Sequence, residues 1–475
     1  MRRSLVFLFA LAGTLGYAAI QRAGIDPIDW NVCLLAVGLI VGLFGFVGAQ
    51  AEVGSFDRVA GVCLAVILAL VAFQLVPLPI GIVRALSPAR FELHAAARLA
   101  GDHGNLVTLT ATPYETVQYL LTLSGYALVI LFVRDFSRIC RGSPWVTVWP
   151  LLAISSLEAA LGCYQVFVGA VGDGAKGTYM NRDHFAGLLE MALPLALVCS
   201  VAVLRTEHSR HESPALPAIK ACIGITVFVL LLSGIMLSLS RGAFVASLAA
   251  TVVVLLAIFF IRKPKDRPAD SGKRWIRWAG MCAALVLIAA GFLFLPTDSF
   301  IARFAELPST EGVSSEMRVQ IWRDTTHLIR DYPLFGCGAG SYASCFLRYK
   351  KVAPMQTVDY AHNDYLQVLA EFGIFGFVAG VVLVCRFLQL ALRGARRASS
   401  ADQRYVAIAC LGAMVAILLH SLVDFNMYVP ANGLEFAWIL GVVASLSGAS
   451  GTSRIHQRKT AERYRVLHET TLATV

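Results

Sequence analysis

Long apolar runs dominate the sequence and constrain its fold more than any other feature. They recur from end to end of the 475 residues, and each is long enough, at about 18 residues or more, to cross the hydrocarbon core as an α-helix. Charged residues make up only 15% of the chain, whereas soluble domains carry about 25%. A soluble domain built from so many apolar helices is the alternative, but helices in lipid explain the pattern more directly, because they satisfy their own backbone hydrogen bonds. We therefore predict an all-α polytopic membrane protein.

The apolar runs divide into about twelve predicted transmembrane helices. Nine fall within residues 1–295 and three within residues 367–449, and between these groups residues 296–366 form a large helical loop outside the membrane. The chain ends in a basic tail, residues 450–475. The predicted spans are residues 4–20, 31–48, 59–78, 115–133, 146–168, 184–204, 219–239, 243–261, 278–295, 367–391, 405–427 and 431–449.

The orientation follows from the short basic loops, of which RDFSRICR and RGARR are examples. Lys and Arg favour cytoplasmic loops, so we place both termini in the cytoplasm and the large loop outside. The basic start of the first span also resembles a signal peptide, but spans continue throughout the chain, which favours an uncleaved helix. The net charge of +10 then reflects topology, and membrane lipids rather than nucleic acid are the expected partners.

Ionisable and polar residues gather at the outer ends of the predicted spans, where burial next to lipid is costly and such residues are commonly functional. They come from several separate places in the sequence, so one shared site at the outer membrane surface would bring them together. The candidates are Arg182, His184, Arg241, Arg318, Arg323, His362, Asn363, Asp364, His420 and Asp424, with Asp183 beside them.

Each candidate also has a purely structural interpretation. Arg241 could be an interfacial arginine that snorkels, and Arg318 and Arg323 could lie on the solvated face of a loop helix. His184 could help to cap a helix, and His362 could be a hydrogen-bonded histidine at a helix start. His420 and Asp424 are four residues apart and share a helix face, so they could simply orient that helix. The functional interpretation therefore depends on the residues lying together.

The residue types indicate chemistry on a lipid-linked phosphate. Arginine stays charged and binds phosphate oxygens with two parallel hydrogen bonds, and a neutral histidine can take a proton from a hydroxyl. An apolar floor suits a lipid tail. The sequence contains no DxD, HExxH or paired-cysteine pattern, so we expect no metal and no cofactor, and arginines in place of a cation at the leaving diphosphate.

Four segments resemble the O-antigen ligase and polymerase superfamily of bacterial membrane glycosyltransferases. They are GTYMNRDHFAGLLEMALPLAL, SLSRGAFVA, RVQIWRDTTHLIRDYPLFGCGAGSYASCF and AHNDYLQVLAEFGIFG, the last of which extends the motif region of the loop to residue 376. On the family pattern, Arg241 and Arg318 match arginines that hold the diphosphate, and His362 matches the histidine that activates the acceptor. The other candidates come from co-location alone.

The resemblance implies a substrate, a reaction and a location. Such enzymes move a glycan from an undecaprenyl-diphosphate carrier to an acceptor hydroxyl at the periplasmic face of the inner membrane, by an inverting displacement. A ligase uses lipid A-core as acceptor, and a polymerase uses a growing polysaccharide. Both remain open from the sequence, and a transporter is the alternative from another class. A disulfide between Cys337 and Cys345 in the large loop also remains open.

Overall fold

The computed structural model describes residues 2–48, 55–99, 104–139, 143–170, 174–205, 215–261, 315–351 and 357–446. This part of the chain is almost entirely helical, which confirms the predicted all-α class. Its only strands are β1 (Leu78–Pro79) and β2 (Leu106–Val107), which pair antiparallel. Its α-helices are α1 (Arg2–Ile20), α2 (Pro27–Gly48), α3 (Arg58–Gln74), α4 (Ile80–Leu86), α5 (Pro88–Leu99), α6 (Pro113–Ile139), α7 (Trp149–Phe167), α8 (Arg182–Arg205), α9 (Ala215–Leu237), α10 (Arg241–Phe260), α11 (Ser315–Asp331), α12 (Tyr342–Phe346), α13 (Asp364–Arg397), α14 (Ala401–His420) and α15 (Pro430–Leu446).

Eight of the described helices are long and apolar enough to cross a membrane, namely α2, α6, α7, α8, α9, α10, α13 and α14. Helices α1, α3 and α15 are apolar but shorter. These eleven helices coincide with eleven of the predicted spans, so the protein is a multi-pass membrane protein. The predicted ninth span, 278–295, and the predicted basic tail, 450–475, lie outside the described residues.

Helices α8 and α15 are buried along most of their length, whereas α2 and α9 expose apolar side chains such as Leu35, 65% exposed, and Val229, 52% exposed. A helix that is apolar all round can be buried in protein or face lipid, and both cases occur here. Small residues let the central helices approach closely. A Cβ on Gly441 of α15, for example, would lie 2.9 Å from the Ile130 carbonyl oxygen of α6.

The described part of the large loop contacts the bundle at a break in α13. Gly373 interrupts that helix with φ +63° and ψ −170°, and the glycine-rich segment 333–340 runs against the break. The amide of Ile374 donates to the Pro333 carbonyl at 2.9 Å, and the amide of Cys337 donates to the Ala370 carbonyl at 2.9 Å. Gln74 at the end of α3 donates to the Phe335 carbonyl at 2.6 Å, so three segments meet at this point.

Gly373→Ala is expected to destabilise the protein by about 1–3 kcal/mol, because a positive φ is unfavourable for alanine. The added Cβ would also lie 2.3 Å from the Leu334 carbonyl oxygen. Thermal unfolding of the purified protein measures the change. Gly380→Ala is the matched control on the same helix, since nothing lies within 4 Å of its added Cβ. Equal midpoints for the two variants would contradict the expectation.

Candidate functional site

The candidate site is organised around the carboxylate of Asp424, whose side chain is 2% exposed. Oδ1 of Asp424 lies 3.3 Å from Nδ1 of His362 and 3.8 Å from Nε2 of His184. The first distance is within hydrogen-bonding range, and the second is an ionic contact when His184 is protonated. Two candidate histidines from distant parts of the sequence therefore converge on the carboxylate of a third candidate.

The backbone holds His362 in an unusual conformation. His362 has φ +50°, a left-handed value that is rare for residues other than glycine. The indole of Trp322 on α11 donates to the Ala361 carbonyl at 3.0 Å. On the other side, the Asn363 side chain caps α13 by accepting from the amides of Tyr365 and Leu366. These contacts fix the backbone around a strained residue, and strain of this kind is common at functional sites.

An aromatic stack fixes the two imidazoles. The ring of Phe425 meets those of His184 and His362 edge to face, at centroid distances of 4.5 Å and 4.9 Å. The other contact of Phe425 is a parallel stack on Tyr360 at 4.1 Å. Since each imidazole touches both Phe425 and the Asp424 carboxylate, its orientation is set by packing as well as by charge.

The Asp424 carboxyl, in the turn after α14, remains ionised. Burial by itself would raise its pKa, but the contacts with His184 and His362 outweigh burial and hold the pKa well below its usual range. An ionised carboxylate accepts hydrogen bonds only, so the His362 nitrogen that faces it, Nδ1, carries a proton. Nε2 of a neutral His362 is then the basic nitrogen that can accept another.

The candidate arginines lie at two helix starts and on α11. Arg318 on α11 places Nη2 3.8 Å from Oδ2 of Asp183, with both side chains about a quarter exposed. Arg182 and Arg241 are the first residues of α8 and α10. Gly242, directly after Arg241, packs so closely on the His420 ring that an added Cβ would lie 2.8 Å from Cδ2. The start of α10 is therefore held beside α14, below the Asp424 turn.

Arg323 lies apart from the other arginines. It is exposed on α11 and is five residues after Arg318, which places it roughly 140° around the helix from that side chain. Its backbone carbonyl accepts from the Thr326 hydroxyl at 2.7 Å. In the part of the chain that the structure describes, no hydrogen bond or ion pair joins Arg323 to the cluster.

His420 and Asp364 lie beneath the site and support it. Nδ1 of His420 is 3.1 Å from Oε2 of Glu190, and both side chains are buried. The Asp364 carboxylate accepts from the Ser421 hydroxyl at 2.6 Å and from the Met427 amide at 3.1 Å. These bonds hold the turn between α14 and α15, and this turn carries Asp424 and Phe425. His420 and Asp424, predicted within one span at 405–427, are separated by the end of α14 at His420.

Sequence reasoning missed Glu190, Phe425 and Tyr360. Glu190 could have been identified from the sequence, because it is a carboxylate in the middle of an apolar span, where ionisable residues are costly. Phe425 and Tyr360 had none, since an aromatic residue in a membrane protein is commonplace. Only the folded chain brings these two rings together.

Two further expectations concern metals and cysteines. In the part of the chain that the structure describes, no group of three or more His, Cys, Asp or Glu residues could hold a metal ion. Cys337 and Cys345 are buried free thiols. Burial and the neighbouring Cys345 raise the pKa of the Cys337 thiol. The disulfide that the sequence left open is therefore not formed in this structure.

Comparison with protein-family models gives a match within this region. Residues 226–381 match a family model described as O-antigen ligase, and this segment contains Arg241, Arg318 and His362. The match spans about a third of the chain and confirms the resemblance to the O-antigen ligase superfamily that the sequence motifs carry. No curated protein matches the chain.

Proposed function

We propose that this protein, whose residues 226–381 form an O-antigen ligase family region, transfers a glycan from an undecaprenyl-diphosphate carrier to an acceptor sugar hydroxyl. The reaction takes place at the periplasmic face of the inner membrane and needs no metal. The observation that carries the proposal is the pairing of His362 with the buried Asp424 carboxylate, at the ends of apolar helices and close to Asp183 and Arg318.

The proposed chemical step is a direct displacement. Nε2 of His362 takes the proton of the acceptor hydroxyl as its oxygen attacks the anomeric carbon of the donor glycan. The bond from that carbon to the diphosphate oxygen breaks, the configuration inverts, and the diphosphate leaves on its lipid. Asp424 stabilises the imidazolium that forms, and Arg241 and Arg318 neutralise the charge that develops on the leaving group.

The acceptor distinguishes the two forms of this function. A ligase would use a lipid A-core sugar, and a polymerase would use a growing polysaccharide on the same kind of carrier. The proposed step is identical in both, so the His362–Asp424 pair supports either form. We favour the ligase, because the matching family model is described as an O-antigen ligase.

A reconstituted assay tests the proposal and separates its forms. Purified protein in liposomes is mixed with undecaprenyl-diphosphate glycan and lipid A-core in the presence of a chelator, and the lipids are analysed. Glycan on lipid A-core would identify a ligase, and longer glycan on the carrier would identify a polymerase. If neither product forms while the glycan crosses the bilayer unchanged, the protein is a transporter.

Arg318→Ala is expected to lower kcat/KM for the lipid-linked donor by roughly 10- to 100-fold, because a hydrogen bond to a charged group contributes about 1.5–3 kcal/mol. Arg318→Lys should recover only part of the loss, since lysine keeps the charge but cannot bind two oxygens in parallel. Initial rates at several donor concentrations measure both. Arg330→Ala, an exposed arginine in the last turn of the same helix, is the control. An Arg318→Ala variant as active as Arg330→Ala would remove Arg318 from the site.

A further inference from the structure

A cavity of about 500 Å³ lies at the end of the bundle opposite to the candidate site. Helix α13 connects the two places, since it begins at Asp364 directly after His362 and ends at Arg397 on the cavity wall. The start of α3, the end of α6, the last turns of α13 and the region around Gln403 of α14 surround the cavity. The positive-inside rule predicts that this end faces the cytoplasm.

Arginines dominate the lining of this cavity. They are Arg58, Arg138, Arg386, Arg393 and Arg397. Among the described residues that line it, Asp57 is the only acidic one. Five guanidinium groups therefore face one carboxylate in a concave space, and walls of low dielectric strengthen the positive potential there.

The Asp57 carboxylate already accepts hydrogen bonds from two partners, Arg386 and the Ala60 amide. Its Oδ1 accepts from Nε of Arg386 at 2.9 Å, its Oδ2 accepts from Nη2 of the same arginine at 2.5 Å, and Oδ1 also accepts from the Ala60 amide at the start of α3. A bidentate pair of this kind neutralises one arginine. Arg138 has the nearby Asp135 carboxylate. Among the described residues that line the cavity, no second carboxylate faces Arg58, Arg393 or Arg397, so an anion can balance their charge.

The arginines are placed to surround a phosphate-sized group. Arg393 and Arg397 are four residues apart and share one face of α13, and Arg58 reaches the cavity from the start of α3. Arg138 is fixed at another wall, because its Nη2 donates to the Ala444 carbonyl at 3.2 Å. Phosphate oxygens are the partners that several converging guanidinium groups match best.

Apolar residues beside the arginines indicate that the phosphate belongs to a lipid. Phe56, Val59, Leu390 and Leu446 also line the cavity. Val59 is 44% exposed, and Val62, one turn further along α3, is 62% exposed. An acyl chain can therefore continue from the cavity along α3 into the hydrocarbon. Basic pockets between transmembrane helices on the cytoplasmic side have the chemistry that binds anionic lipid headgroups.

We propose that this arginine cavity binds the phosphate of an anionic phospholipid headgroup from the leaflet at that end of the bundle. The bound lipid would join α3, α6 and α13 where their charged ends converge. This site is separate from the proposed glycan transfer and does not depend on it, since no residue is shared between the two.

Lipid binding to the full-length protein in detergent tests the proposal. Native mass spectrometry with added phosphatidylglycerol gives the affinity, and phosphatidylcholine, a lipid without net charge, and inorganic phosphate are run in parallel. The variant Arg393→Gln/Arg397→Gln is compared with Arg396→Gln, which removes an exposed arginine of the same helix end that does not line the cavity. Each arginine near an anionic lipid surface contributes about 1 kcal/mol, so the double variant should bind phosphatidylglycerol roughly 30-fold more weakly.

The outcomes separate the possible ligands. Preference for phosphatidylglycerol over phosphatidylcholine, lost in the double variant and kept in Arg396→Gln, supports the proposal. Equal binding of the two lipids, or equal loss in both variants, overturns it. Saturation by inorganic phosphate that prevents phosphatidylglycerol from binding would assign the cavity to a soluble phosphate compound and overturn the lipid assignment.

Discussion

His362→Ala is expected to lower the rate of glycan transfer by about 10²–10⁴-fold, the loss that follows removal of a general base. Alanine cannot accept the proton of the acceptor hydroxyl, and the ionised Asp424 that faces Nδ1 at 3.3 Å loses the imidazole that it orients. Donor binding should change little, because the proposed diphosphate contacts come from Arg241 and Arg318. The measurement is the single-turnover rate with saturating donor in liposomes.

A second substitution separates lost chemistry from lost structure. His362 has φ +50°, and asparagine tolerates this conformation better than alanine does. His362→Asn should therefore unfold at nearly the wild-type temperature and yet be as inactive as His362→Ala. A rate within a few fold of wild type for either variant would show that His362 only supports the backbone.

Asp424→Asn should lower the rate without weakening donor binding, because it removes the carboxylate that holds the proton on Nδ1.

His420→Ala is expected to reduce the free energy of unfolding by about 3–5 kcal/mol, the cost of removing one partner from a buried ion pair. Its ring lies against Glu190 at 3.1 Å, and both side chains are at most 2% exposed. Without His420 the Glu190 carboxyl group would be left without its partner among apolar helices. The ring also packs on Gly242, so its loss should loosen the start of α10, next to Arg241.

A compensating double variant tests whether this pair is structural. His420→Gln with Glu190→Gln replaces the two charges by neutral hydrogen-bonding groups and should recover much of the stability lost in His420→Ala. Denaturant unfolding in detergent gives the energies, and the transfer assay at low temperature gives the activity. A His420→Ala protein that is as stable as wild type but inactive would move His420 from the supporting layer into the chemistry.

The helices and their order were predictable from the sequence because lipid demands long apolar runs. Eleven predicted spans correspond to helices in the described residues, and the amphipathic stretch that includes Arg318 and Arg323 is α11. The ends of helices were less predictable. Helix α14 ends at His420 rather than continuing to residue 427. The Ser421 hydroxyl donates to the buried Asp364 carboxylate, and this bond holds the turn that follows the helix beside the site.

The sequence by itself determined that this chain crosses the membrane many times, and that its motifs resemble those of O-antigen ligases. Burial of charge next to lipid is costly enough to be visible in the linear pattern. The tertiary structure alone decided which residues share a contact: Asp424 with His362 and His184, Glu190 with His420, and Asp57 with Arg386. Such pairs join residues that are 62 to 329 positions apart, and a one-dimensional pattern records the cost of each charge but not the partner that offsets it.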